Sequence, residues 1–585
     1  MTGTMASRSQ MLVDEPLTPE RVGQRRSGTE YSPAPMGRRS SWRLARRPAD
    51  LTAHRRRSVS PLLIPCLLAV GYVILLVVRF PHLIAWQNSD SDVASAFTLT
   101  DAISHGAPGQ VVMSTQGAWV SLWYGLLTHG LSFHRVLWEI SPALLTLATA
   151  CLIGWSVARV STRTAGALTV ALIVAASPTG VRNFTAAFFH NTTIPGVAIL
   201  GAYLVWLSCR PRTRGPVVMS VVLGSLVVGA FLASDELFGV VGLAPFFGVS
   251  ALLALRTRDR TGLLPVAAVT CGSVVVAVIT SGVMRAVDFR TTTPGFGLTR
   301  TLVGAHLKWL AQGLLRMGNG LSVAPHDLIR TPLTFAAGIV TVSGLLALFW
   351  VTGRSLVRSG VREAPAARTA VRPDSDDLAR ARALHATFWA ASLLCAATAY
   401  VITSVALIPS DRYFLVAIPA VAATVPLLLT SRRAAWVIAA AATVFVAGSI
   451  VALAANDERN LTTRPAAVSQ ARQIEAVVEN LHLGVGYAGY WEAAGLSWTT
   501  NERLHVYPAT DVGGQIEPMY LARVAAWYRP RPHTSSYLLL EPGDNVLADR
   551  IPRGLPRPDR EIHLGQVTLA TYPYDIAAYF QAPVN

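Results

Sequence analysis

Two aspartates one residue apart, Asp90 and Asp92, lie in the stretch WQNSDSDVASAF at residues 86–97, just after an apolar run that ends in a Phe-Pro step. Carboxylates at i and i+2 can share a divalent cation, Mg or Mn, bound to a phosphate. Alternatively, one can take a proton from an acceptor hydroxyl while the other orients that acceptor. The plainer alternative is a cap: NSDSD begins a helix expected over 92–104, with acids in its first turn facing the positive end of the dipole. The pattern alone is weak, and its position relative to a membrane gives it weight.

Four other stretches carry comparable chemistry. RNFTAAFFHNTTIPG (182–196) places His190 and Asn191 at a helix start, and LASDELFG (232–239) puts Asp235 and Glu236 in a tight connection between apolar runs. Ionisable groups close to a bilayer are costly and so tend to serve function, although a tight connection must be polar in any case. IPSDRYFLVAIPA (408–420) sets Arg412 at the head of an apolar run, where a guanidinium can clamp a lipid phosphate through two parallel hydrogen bonds or pair locally with Asp411. QGAWVSLWYGLLTHGLSFHRVLWE (116–139) is too polar to span cleanly and reads as an interfacial helix. Its Trp119, Trp123 and Tyr124 line a groove for a lipid-linked substrate or form a plain aromatic belt. TRTLVGAHLKWLAQGLLRM (299–317) reads as a second interfacial helix, its leucine stripe set apart from Arg300, Lys308 and Arg316.

The elements that must position these residues are membrane spans. Of the 585 residues 52% are hydrophobic and only 14% charged, which excludes an ordinary soluble enzyme of this size. Apolar runs fall near 62–79, 137–158, 165–177, 193–208, 216–233, 237–255, 263–284, 332–351, 385–408, 413–430 and 434–455, giving about eleven transmembrane helices. Arginines cluster on alternate connections: 159/163, 210/212/214, 256/258/260, the 352–384 loop and 432/433. The positive-inside rule then sets the N-terminus in the cytoplasm and the C-terminus outside a plasma membrane. Asp90, Asp92, His190, Asp235 and Arg412, with loops 80–136 and 285–331, fall on the outer face.

The net charge of +17 is almost all arginine, the sole lysine being Lys308, a bias of high-GC bacterial genomes. Residues 1–58 carry twelve arginines without apolar periodicity and read as a disordered basic cytoplasmic tail that meets anionic headgroups rather than nucleic acid. Residues 59–455 form the membrane domain. Residues 456–585 lack a spanning run and read as a small extracytoplasmic α/β domain. It has a helical stretch at 466–481 and short strands at GVGYAGYWEA, RLHVYPA, SSYLLLEP and QVTLATYPY. The five cysteines sit in or beside apolar runs, so neither disulfides nor a thiolate metal site are expected. Nucleotide-binding loops, H-E-x-x-H and nucleophile-elbow motifs are absent from the sequence.

An acidic motif in the first outer loop, after the first of about eleven spans, resembles GT-C type integral-membrane glycosyltransferases. The protein O-mannosyltransferase and aminoarabinose-transferase branch is most similar, and SDRYFLVAIP is similar to that branch's R-Y-x-x-P start of a late span. The resemblance implies a polyprenyl-phosphate sugar donor and a glycan, lipid or protein acceptor. It also implies a first-loop carboxylate acting on the acceptor, Arg412 on the donor phosphate, and His190, Asn191, Asp235 and Trp119 around the substrates. The branch often has an adjacent Asp-Glu pair where this chain has spaced Asp90 and Asp92, so which carboxylate is the base stays open. The competing classes are a transporter or flippase of a lipid-linked or polar substrate, and a non-catalytic membrane scaffold. The first requires ionisable groups at mid-membrane, which the apolar runs almost lack.

Overall fold

The computed structural model describes residues 60–87, 91–104, 110–114, 134–185, 192–209, 214–258, 260, 262–292, 297–320, 330–360, 374–404, 410–542, 547 and 550–581. The basic tail expected over 1–58 lies outside this set. Residues 59–585 form one compact unit.

The first half contains α1 (Leu63–Gln87), α2 (Ser91–Ser104), β1 (Val111–Ser114), α3 (His134–Val160), α4 (Arg163–Val174), α5 (Pro178–Thr185), α6 (Thr193–Cys209) and α7 (Arg214–Ser234). A short α8 (Glu236–Phe238) then passes through a π-helical turn (Gly239–Leu243) into α9 (Ala244–Thr257), followed by α10 (Leu263–Ala286) and β2 (Phe289–Thr292). Next come α11 (Val303–Met317), α12 (Arg330–Gly360), α13 (Asp374–Ile402), a 3₁₀ turn (Asp411–Phe414), α14 (Ala417–Thr424), a second 3₁₀ turn (Val425–Leu428) and α15 (Arg432–Asn480). Each of the eleven apolar runs carries helix. Among the described residues eight helices are long and apolar enough to cross a bilayer, nine if a bent pair counts as one span. The architecture is that of a multi-pass membrane protein.

The bent pair is α4 and α5, which meet at 88°. Pro178 supplies no backbone N–H and biases the residue before it away from helix, so the chain turns there. Ser177 caps the new helix: its hydroxyl accepts from Gly180 N at 3.1 Å and its carbonyl from Val181 N at 2.7 Å. The Tyr72 hydroxyl donates to the Ala176 carbonyl at 2.7 Å, satisfying a group the break would otherwise strand inside the bundle. The corner thereby aims α5, with Arg182 on it, across one end of the bundle.

The C-terminal region adds β3 (Val485–Ala488), α16 (Tyr490–Thr499), β4 (Val506–Val512), β5 (Gln515–Pro518), β6 (Ala522–Val524), β7 (Ser536–Leu540), β8 (Arg560–Leu564) and β9 (Val567–Tyr572). The six-stranded sheet runs β5-β4-β3-β7-β9-β8, with β3 parallel to both β4 and β7. Central β7, SYLLL, parallel to β3 and antiparallel to β9, is buried at every position, as a strand covered on both faces requires. Edge strand β8, REIHL, is largely exposed and charged, which discourages pairing with other chains. Gly513 and Gly514, at φ 65° and 92°, form the two-residue β4–β5 turn, a conformation in which side chains are strained. The GVGYAGYWEA stretch divides: strand ends at Ala488 and helix begins at Tyr490. The helix expected at 466–481 is the far end of α15, which runs 49 residues without a break.

A second sheet ties the protein together. Its order is β2-β1-β6, one strand each from the first long loop, the second long loop and the C-terminal region. Val111 pairs with Phe289 in parallel and with Val524 in antiparallel register. Beneath it, α2 buries Val93, Ala94, Phe97 and Leu99 against Trp138, Tyr490, Trp498 and Trp527. The first-loop helix, expected over 92–104, is thus packed under the C-terminal region.

Candidate functional site: an arginine cluster at the head of an apolar cavity

The 411–414 turn interrupts the chain between α13 and α14, so its side chains lie at one end of the bundle. Phe414 is fully buried, and its ring meets Tyr400 of α13 edge-on with centroids 5.1 Å apart. Both pack against α11, where Gly313 leaves a notch. A Cβ at 313 would overlap the Phe414 ring and stand 2.6 Å from Asp411 Oδ1. Glycine at this point admits both the ring and the carboxylate.

Three residues on in α11 is Arg316, whose Nη2 lies 3.7 Å from Asp411 Oδ1. Arg182, on the re-aimed α5, also acts electrostatically on Asp411. Arg412 follows Asp411 directly, with its guanidinium carbon 5.5 Å from the Tyr413 ring centroid. The Nε atoms of Arg182 and Arg412 are both shielded from solvent. Tyr400, itself buried, interacts electrostatically with Asp411 and Arg316. On its other side the His306 ring of α11 lies tilted by 37° at 5.2 Å and meets the Val401 carbonyl through Nδ1 at 3.2 Å. Arginines from two remote segments thus converge on one carboxylate, with a third arginine next to it in the chain.

Below the cluster lies a cavity of about 230 Å³ between α12 and α15, floored by α14. Leu314 and Met317 line its head, and Val421, Leu428, Val437 and Phe445 continue it down the bundle. Among the lining residues only Thr341 and Ser343 carry polar side chains, and Thr341 donates its hydroxyl to Ala337 O at 2.9 Å and Gly318 O at 3.1 Å. The lining offers an alkyl or isoprenoid segment contact and offers a sugar almost nothing to hydrogen-bond.

Arg412 is the one sequence-predicted site residue in this cluster. Asp92 lies in the first turn of α2, at the expected helix start. Asp90, Trp119, His190 and Asn191 lie outside the described residues, as does the side chain of Asp92. Asp235 is buried as the N-cap of α8. Its Oδ1 accepts from Leu237 N at 3.0 Å and its Oδ2 accepts the Thr193 hydroxyl at the start of α6. It joins the α7–α8 turn to the segment that follows His190 and Asn191. Among the described residues no three His, Cys, Asp or Glu side chains come together as a metal site would need. Arg182 and Arg316 were missed as site residues because the first reads as one charge of a short connection and the second as a basic residue beside a leucine stripe. The signal was Gly313, one turn before Arg316 in a helix otherwise rich in leucine.

The first-loop helix stands at the same end of the bundle. The backbone past β2 bonds to the end of α13, with Thr299 N to Ile402 O at 3.0 Å and Ser404 N to Gly297 O at 2.8 Å. β2 in turn pairs with β1, beside α2. Arg290 and Arg523 flank Val112 in the register of this sheet. Burial lowers the pKa of Arg523, with Arg290 acting in the same direction and Tyr528 and Glu517 opposing. Comparison of the chain with family models, with curated proteins and with solved structures returns no match.

Proposed function

We propose that the protein is an integral-membrane glycosyltransferase that moves a sugar from a polyprenyl-phosphate donor to a glycan, lipid or protein acceptor at the outer face of the plasma membrane. The observation that carries this reading is the arginine cluster at the head of an apolar cavity, at the same bundle end as α2 and its Asp92. A lipid phosphate needs those two environments in contact: a dry channel for its chain and guanidiniums for its head. Sugar transfer further needs a base for the acceptor hydroxyl and stabilisation of charge on the leaving phosphate. In this reading Asp90 or Asp92 supplies the first and the arginines the second. Eleven crossings, with the N-terminus in the cytoplasm, put the base and the phosphate clamp on the outer face. The alternating arginine loops support that orientation.

Replacing Asp90 or Asp92 by Asn tests the reading. Asn retains size and is as good a helix cap as Asp. As a base it is lost, and sugar transfer from a polyprenyl-phosphate donor falls by about 10²–10⁴-fold in membranes matched for protein level. Near-parental turnover in both single variants would refute the role of the motif.

A further inference from the structure

We infer that Arg182 and Arg316 form a phosphate-binding subsite in which the Asp411 carboxylate stands as an internal substitute for the ligand. The assignment of a lipid as the phosphate carrier rests on the proposed function; the subsite itself does not.

Three observations combine. First, the pairing is loose. A locked guanidinium–carboxylate pair closes to about 2.7–2.9 Å through two parallel bonds, whereas Arg316 stands 3.7 Å from Asp411 by one nitrogen. Second, the carboxylate is brought there by backbone. The 411–414 turn and the Gly313 notch seat Oδ1 beside α11, and its side chain retains only 14% of its exposure. Third, the cavity leads to this point: Leu314 lines its head one residue past Gly313, and Ile418 lines it one turn past Phe414. A chain lying in the cavity delivers its phosphate to the arginines that Asp411 holds.

A phosphate monoester or diester offers more oxygens than a carboxylate and can bridge two guanidinium forks at once. It therefore displaces Asp411 rather than adding to it. The two roles open to Asp411 predict opposite effects. As an internal competitor, its loss frees the arginines and tightens phosphate binding. As a mere scaffold that orients them, its loss weakens binding.

The experiment uses the full chain in phosphatidylcholine nanodiscs, without acceptor. A polyprenyl monophosphate and inorganic phosphate are titrated separately and binding is read by ligand-dependent thermal shift. Asp411→Asn is expected to bind more tightly, by roughly fivefold, the scale of one part-exposed ion pair. Arg182→Lys and Arg316→Lys keep charge but lose the fork, and each is expected to weaken binding by about tenfold. These conservative variants keep the test decisive if Asp411→Asn does not fold. The subsite stands if either probe shows this pattern; inorganic phosphate binding without the lipid would sink the donor reading alone. Weaker binding in Asp411→Asn, parental binding in both lysine variants, or no saturable binding of either probe overturns the inference.

Discussion

Two helices, α2 and α11, lie in the first and second long loops, and they are held by different cores. α2 is gripped by the C-terminal region: Phe97 meets Trp498 at 4.8 Å and Trp138 at 5.7 Å, both edge-on. Arg135 at the start of α3 closes the grip, donating to the Trp498 carbonyl at 2.8 Å with its guanidinium 3.9 Å above the indole. α11 instead lies on the membrane bundle, with Trp309, Leu310 and Leu314 against the main core and Leu307 half exposed. The acid-bearing element is therefore positioned by the C-terminal region with Trp138 of α3, and the arginine-bearing element by the main core of the bundle. Under the proposed function, base and phosphate clamp are seated in different cores of one compact unit, joined through the β2-β1-β6 sheet.

The sharpest way to break this comparison is to unseat one helix and watch the other. Trp498→Ala deletes a buried indole and is expected to cost about 3–5 kcal/mol locally. Hydrogen exchange should rise over α2 and α16 while α11 stays protected. Phe414→Ala should do the reverse, exposing α11 and leaving α2 unchanged. Equal loosening of both helices in either variant would show that they share one core.

Alkali should distinguish the two cores by a smaller margin. Burial, reinforced by Asp575, raises the Tyr487 phenol above its ordinary pKa near 10, and burial raises Tyr528 likewise. Tyr487 donates to Asp575 Oδ1 at 2.8 Å. A raised folded-state pKa means the folded form holds the proton longer. This stabilisation is complete below the unfolded value and is lost as pH climbs through the folded one. The C-terminal region is expected to open above about pH 10, with α2 losing protection in the same step. Tyr487→Phe should soften that transition, followed by phenolate absorbance. The smallest expected effect is Ser95→Ala, which removes a hydroxyl lying 3.5 Å from that of Tyr490. A change beyond about 0.5 kcal/mol would show that this contact matters more than its geometry suggests.

What the sequence announced follows from periodicity. Long apolar runs became helices, and α2 and α11 begin within a few residues of their expected starts because caps and leucine spacing are local signals. The β2-β1-β6 sheet was silent, since VVMS, FRTT and ARV are too short to show alternation and meet only in three dimensions. The same holds for Arg182, Arg316 and Asp411, whose relation depends on a proline corner and a glycine notch in separate helices. The length of α15 was masked by composition: polar residues past the span read as a boundary, while Ala471, Ile474 and Val478 keep a helical stripe that the sheet domain covers.

That helix works as a clock hand as well as a post. At about 1.5 Å per residue its 49 residues reach roughly 70 Å, more than twice a hydrocarbon core of about 30 Å. Each residue also advances the azimuth of whatever rides on its far end by about 100°. Inserting one alanine between the bundle and Ala471 would swing the sheet domain away from β1, whereas seven would nearly restore its bearing about 10 Å higher. The spacing between Arg432 and the domain therefore sets two things at once, the bearing and the height at which β6 meets β1.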